Sequence, residues 1–355
     1  MVSASDDHGV LSRRGLLRAG ALIAIAVPLA ACTAPQAAPT PDPLQPLLTA
    51  AESDSRTATT ASTAFAANAA TFAVFATVRR QQAAALRTEV DRAAALTAPP
   101  TTSASASPTT APTDETTVIG ELRAGLVTAQ QQATRLVPSL PTYRAGLVGS
   151  IAAGCASLAE AFNSTPVTAT SAISAGPPNV APSGGAAATA VPTTTPGVPS
   201  STASSPADRA LSGDTVTALQ QALATEHAAL WLYGTASAFV TGSSETEIIA
   251  GMGAVQNLRD ATERRLAGAG QTPTPAQPAY LVPAGVTNQT SALAALALAE
   301  SDATVAWRFV LEHTDDPGAR SVALAALIDS AVRQTRWRRL AGESPASVAL
   351  PGSAA

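Results

Sequence analysis

Apolar residues recur every three to four positions in two long stretches of the chain, and the gaps between them are rich in Pro, Ser and Thr. That spacing predicts amphipathic helices rather than strands. The first stretch runs from 42 to 163. Asp42-Pro43 reads as a helix start, and a second helix carries Phe65, Phe72, Phe75, Leu86 and Val90 on one face. The pattern breaks over 97–113, restarts at Asp114, and turns once more at "PSLP" before an Ala-rich helix containing Cys155. Residues 164–207 are Pro, Ser, Thr, Ala and Gly with almost no large apolar residue, the composition of a disordered linker. The second stretch, 208–342, contains four helices. The first spans about 214–240. The second starts at a Ser244-x-x-Glu247 capping box and ends at Gly268. The third spans 290–313, and the fourth starts at Asp316-Pro317 and closes before Gly342. Residues 343–355 are left as a tail.

Connection lengths predict the topology. In the second stretch they run short ("TGSS"), long and Pro-rich (around "PAYLVP"), then short ("TDDPG"). Two antiparallel hairpins joined by one crossover is the layout of ferritin-like bundles. The first stretch has a long break at 97–113 and a short one at 138–141, so the expectation is a second, more divergent bundle of the same kind. The fold class is all-α.

One feature of the second stretch departs from the pattern. Leu219, Leu223, Leu230 and Tyr233 form an inward stripe, and Glu226 lies on it; Glu300 lies between Leu296 and Trp307 in the same way. A ferritin-type metal centre takes one Glu from each of two helices and Glu-x-x-His from the other two. Here the second helix offers Asp260 and Glu263 without His, and the fourth offers Asp329-x-x-Val332. Buried carboxylates need compensation. The expectation is therefore a buried polar network of Glu226, Tyr233, Arg259, Glu263, Glu300, Asp329 and Arg333, with Arg336 as a further candidate. No catalytic residue, metal ligand or cofactor is assigned; iron or manganese is the alternative. His227, Cys155, Trp307 and Trp337 read as packing residues, and Asp315-Asp316 as a helix cap.

The N-terminus adds an address. Arg13-Arg14 in "SRRGLL" resembles a twin-arginine export signal, an apolar run follows, and "LAAC" at 29–32 resembles a lipobox. The expected order is a signal peptide at 1–31, lipidated Cys32, and a tether over 32–41. The chain would then sit on the outer face of the cell membrane, since two or more acyl chains anchor stably. Removing 1–31 takes away three Arg and two Asp, so the net charge of −4 becomes −5. An acidic chain whose 21 basic residues form no basic tract has no footprint for nucleic acid. The expected partners are the membrane, through Cys32, and a protein or small molecule of unspecified kind.

"ALQQALATEHAALWLYG", "PAYLVP", "AESDATVAWR" and "LIDSAVRQTRWRRLAG" together resemble an actinobacterial ferritin-like domain of unknown function. The resemblance covers about 211–351. It implies a four-helix fold and an envelope location, often in lipoproteins, and no established activity. The expected role is binding or scaffolding without enzymatic chemistry.

Overall fold

The computed structural model describes residues 41–96, 114–163, 210–281 and 285–353. The expected signal peptide with Arg13 and Arg14, the expected lipidation site Cys32, the expected tether and the expected linkers lie outside the described residues. Among the described residues there are eight α-helices and no strand: α1 (Gln45–Ala64), α2 (Ala69–Ala95), α3 (Glu115–Leu136), α4 (Thr142–Asn163), α5 (Gly213–Ser237), α6 (Ser244–Gly268), α7 (Gln289–His313) and α8 (Pro317–Leu340). The fold is all-α.

Helix ends follow local chemistry. Asp114, Ser212, Asn288 and Asp316 each cap a helix by accepting a backbone N–H, from Thr117, Thr215, Ser291 and Ala319 respectively. One expected end moves, and two keep their place with different capping. Asp42 accepts the Leu44 N–H at 2.8 Å, which holds a turn and delays α1 to Gln45. Ser244 begins α6 and is buried, so it caps nothing; Glu245 instead accepts the Gly242 N–H at 3.1 Å. α6 ends at Gly268 as expected, but the left-handed residue that turns the chain away is Gly270, with φ of +73°.

Each block closes a ring of packed helices. α1 packs on α2 and α3, and α4 on α2 and α3. α5 packs on α6 and α7, and α7 on α8. Arg265 of α6 reaches Asp316 at the start of α8 and completes the second ring. The two hairpins with a crossover that the connection lengths predict are both present.

The contacts join what the sequence reading divides. α4 packs on α7 and α8 as well as on its own block, and the described residues from 42 on form one compact unit with a shared apolar core. The reason is composition. α4 is mostly apolar and has no continuous polar face, its Arg144, Ser150 and Ser157 being buried too, so it must be covered nearly all round. Its segment 142–162 is long and apolar enough to cross a membrane, but 78% of that window is buried inside the protein. Cβ atoms at Gly146 and Gly149 would collide with Glu312 and Leu311 of α7, so these glycines let the helices approach closely.

Residues 346–353 pack on this core and are not a free tail. Ser150 Oγ donates to the Pro351 carbonyl at 2.7 Å, and Gln82 Nε2 to that of Ala349 at 2.9 Å. Val348 N–H donates to Ser157 Oγ at 3.0 Å. The segment lies against both blocks because its backbone answers polar groups that α2 and α4 bury.

Candidate functional site

Glu300 and Glu226 are both buried, at 1% and 2% exposure, on facing helices α7 and α5 of the second block. Their surroundings differ. Arg333 of α8 approaches Glu300 in bidentate fashion, Nε to Oε1 at 2.7 Å and Nη2 to Oε2 at 3.0 Å. Tyr233 donates its hydroxyl to Glu300 Oε1 at 2.5 Å and accepts Trp337 Nε1–H at 2.9 Å. The four side chains thus tie α5, α7 and α8 together. Burial works against charge on Arg333, but the Glu300 carboxylate outweighs it and raises its pKa. Burial and then the Glu300 charge push the Tyr233 phenol well up, so Tyr233 is a fixed donor.

Glu226 has no arginine. Thr262 Oγ1 donates to its Oε1 at 3.4 Å, and its Oε2 has no hydrogen-bond partner. Burial pushes its pKa up to about 8, against smaller lowering by Thr262 and Arg259. The expectation that guanidinium answers both inner carboxylates is corrected at Glu226, which is compensated by holding a proton. The helix stripe places both residues inward, but it does not reveal which cross-helix neighbour each one meets.

The remaining expected members disperse. Arg259 turns to Asp260 on its own helix, with Nη2 to Oδ1 at 2.5 Å. Arg336 pairs with Glu160 of α4 at 2.8 Å. Glu263 lies 3.7 Å from His227, whose Nε2 donates to the Thr274 carbonyl at 3.1 Å. Asp329 is exposed on α8, and partial desolvation raises its pKa against the pull of Arg333. The network is therefore Glu300, Arg333, Tyr233 and Trp337.

This donor set does not fit a di-metal centre. Both oxygens of Glu300 are engaged by a cation and a hydroxyl, and no group of three or more His, Cys, Asp and Glu among the described residues could hold a metal ion.

Residues 218–355 match a family described as a domain of unknown function, DUF4439. This part of the chain is a DUF4439 domain. The DUF4439 domain begins within α5, takes in the crossover and α6–α8, and includes the closing segment that packs on α4. It therefore contains all four residues of the network. The chain also covers 98% of a solved conserved hypothetical protein from Mycobacterium tuberculosis, at 32% identity over 36% of this chain, with a TM-score of 0.36. No curated protein matches the chain.

Three buried cations outside the DUF4439 network escape a search for inward acids. Arg79 of α2 is fully buried, 2.8 Å from Asp54, and donates to Gln82 at 2.6 Å and to Cys155 Sγ at 3.3 Å. Arg144 of α4 binds Asp42 and Glu89, each at 2.6 Å. Arg320 of α8 donates to the carbonyls of Leu140 at 2.7 Å, Pro138 at 3.1 Å and Thr314 at 2.8 Å, so the second block clamps the α3–α4 turn. A signal was available: Arg79 and Gln82 interrupt the apolar stripe that Phe72, Phe75 and Leu86 define.

A groove of about 630 Å³ opens beside that clamp, between α3 and α8. Val137, Leu324 and Ile328 give it an apolar lining, and Gln131, Arg135, Ser321 and Asp329 are its exposed polar residues.

Proposed function

We propose that the protein is a lipid-anchored envelope protein of ferritin-like build that acts by binding or scaffolding, not by chemistry inside its bundle. The carrying observation is the engagement of Glu300. Its two oxygens, which a metal or substrate would need, are taken by Arg333 and Tyr233. Its polar interior then serves helix register, and the groove between α3 and α8 is a concave surface open to a partner. The ferritin-like build is supported by two helix hairpins, a long crossover and inward acids on α5 and α7. The envelope location is supported by Arg13-Arg14, the apolar run and Cys32 in their order along the chain.

Replacing Cys32 with Ala and fractionating cells tests the anchor. Loss of the protein from the membrane fraction is expected; undiminished membrane retention would contradict it. Replacing Ile328 with Arg tests the groove. It should abolish a biological role of the anchored protein without lowering its melting temperature, and a fully active variant would place the binding surface elsewhere.

A further inference from the structure

The crossover between α6 and α7 is fixed to α5 at Thr272, Thr274 and Tyr280. Gln220 donates to the Thr272 carbonyl at 2.8 Å and accepts the Thr274 N–H at 2.7 Å, and His227 donates to the Thr274 carbonyl. Further on, Tyr280 rests against Trp231 of α5 with ring centroids 6.1 Å apart. A pocket of about 130 Å³ lies there, between α5, α7 and the crossover. Its lining is aromatic and aliphatic apart from Thr225 and one charged residue, Asp302 of α7.

Two features of this pocket face solvent. Leu281 and Leu298 on its rim are 98% and 44% exposed, an apolar surface that no described element covers. Asp302 is exposed and has no hydrogen bond or ion pair among the described residues, so its carboxylate is open to an incoming ligand. Desolvation raises its pKa, and no neighbouring cation offsets that. A carboxylate beside an electron-rich indole and phenol, walled by alkyl groups, is a complement for positive charge on a short apolar stem. The ring faces attract the cation, the carboxylate neutralises it, and the alkyl wall takes the stem.

We propose that this pocket is a binding site for a small organic cation, an alkylammonium or alkylguanidinium head, with Asp302 as counter-ion and Trp231 and Tyr280 as the aromatic wall. Free amines and the side chains of Lys or Arg share this chemistry. The site is separate from the groove between α3 and α8, and it holds whether or not that groove binds a partner.

The test titrates the mature chain with n-butylammonium, n-butylguanidinium, Nα-acetyl-lysine amide and neutral 1-pentanol, following the indole N–H signal of Trp231 by NMR. The cations should shift that signal saturably, with 1-pentanol about tenfold weaker. Asp302→Asn should weaken the cations by about tenfold and leave 1-pentanol and the melting temperature unchanged. Binding of the lysine amide equal to that of n-butylammonium assigns the site to a protein side chain; preference for the free amine assigns it to a small molecule. Equal binding of 1-pentanol, cation binding insensitive to Asp302→Asn, or no saturable shift up to the solubility limit would each overturn the proposal.

Discussion

Glu226 illustrates what burial does to a single carboxylate. Its ordinary pKa of 4.5 is pushed up to about 8 in the fold, so the folded chain keeps a proton that the unfolded chain releases between those values. The resulting stability is fully present below about pH 4.5 and is lost as the pH rises towards 8. Urea unfolding across that window should show a decline on the order of a few kcal/mol, and Glu226→Gln should flatten it. Parallel curves for the two proteins would mean that Glu226 is ionised and hydrated. Glu300 should behave differently. Arg333→Met leaves its charge buried and unpaired, at an expected cost of about 3–5 kcal/mol, whereas Glu300→Leu combined with Arg333→Met should recover most of that loss. The inward position of both acids was legible from the Leu219–Tyr233 stripe and the Leu296–Trp307 interval. Their different fates were not, because helical period fixes a face and says nothing of the partner's register.

At the scale of helices, composition and capping residues carried most of the information. Asp114 and Asp316 begin helices as their sequence context predicts, because a carboxylate that accepts the N3 amide works alone. Ser244 begins α6 without capping it, because tertiary packing buries its side chain. α4 was legible as a helix, but not as the helix shared by both blocks. Its glycines offered the clue. Gly154 faces the Ala349 carbonyl and Gln82, and a Cβ there would collide with both. Gly154→Ala should therefore destabilise by about 1–3 kcal/mol. Gly253 of α6 has open space around its missing Cβ, so Gly253→Ala should raise stability by up to about 1 kcal/mol through helix propensity. Thermal melts of the two variants should move in opposite directions; a shift of the same sign would discredit the packing assigned to α4.

Across the whole molecule, two helical rings share α4 and are sealed by residues 346–353. Truncation after Gly342 would strip partners from Ser150 and Gln82 and expose α4. Each orphaned buried group costs about 1–3 kcal/mol, so the truncated chain should unfold at markedly lower urea. The loss should be felt by both blocks in hydrogen exchange, including α1–α3, which lie outside the DUF4439 match. Charge in this interior is spent on cohesion: Arg79, Arg144, Arg320 and Arg333 each hold helices or turns together. The measurement that reaches this claim most directly is metal content. The mature chain, incubated with iron and manganese and then desalted, should retain less than one equivalent, and Glu226→Ala and Glu300→Ala should leave that value unchanged. Retention of about two equivalents, lost in both variants, would contradict the account and make the bundle interior a metal centre.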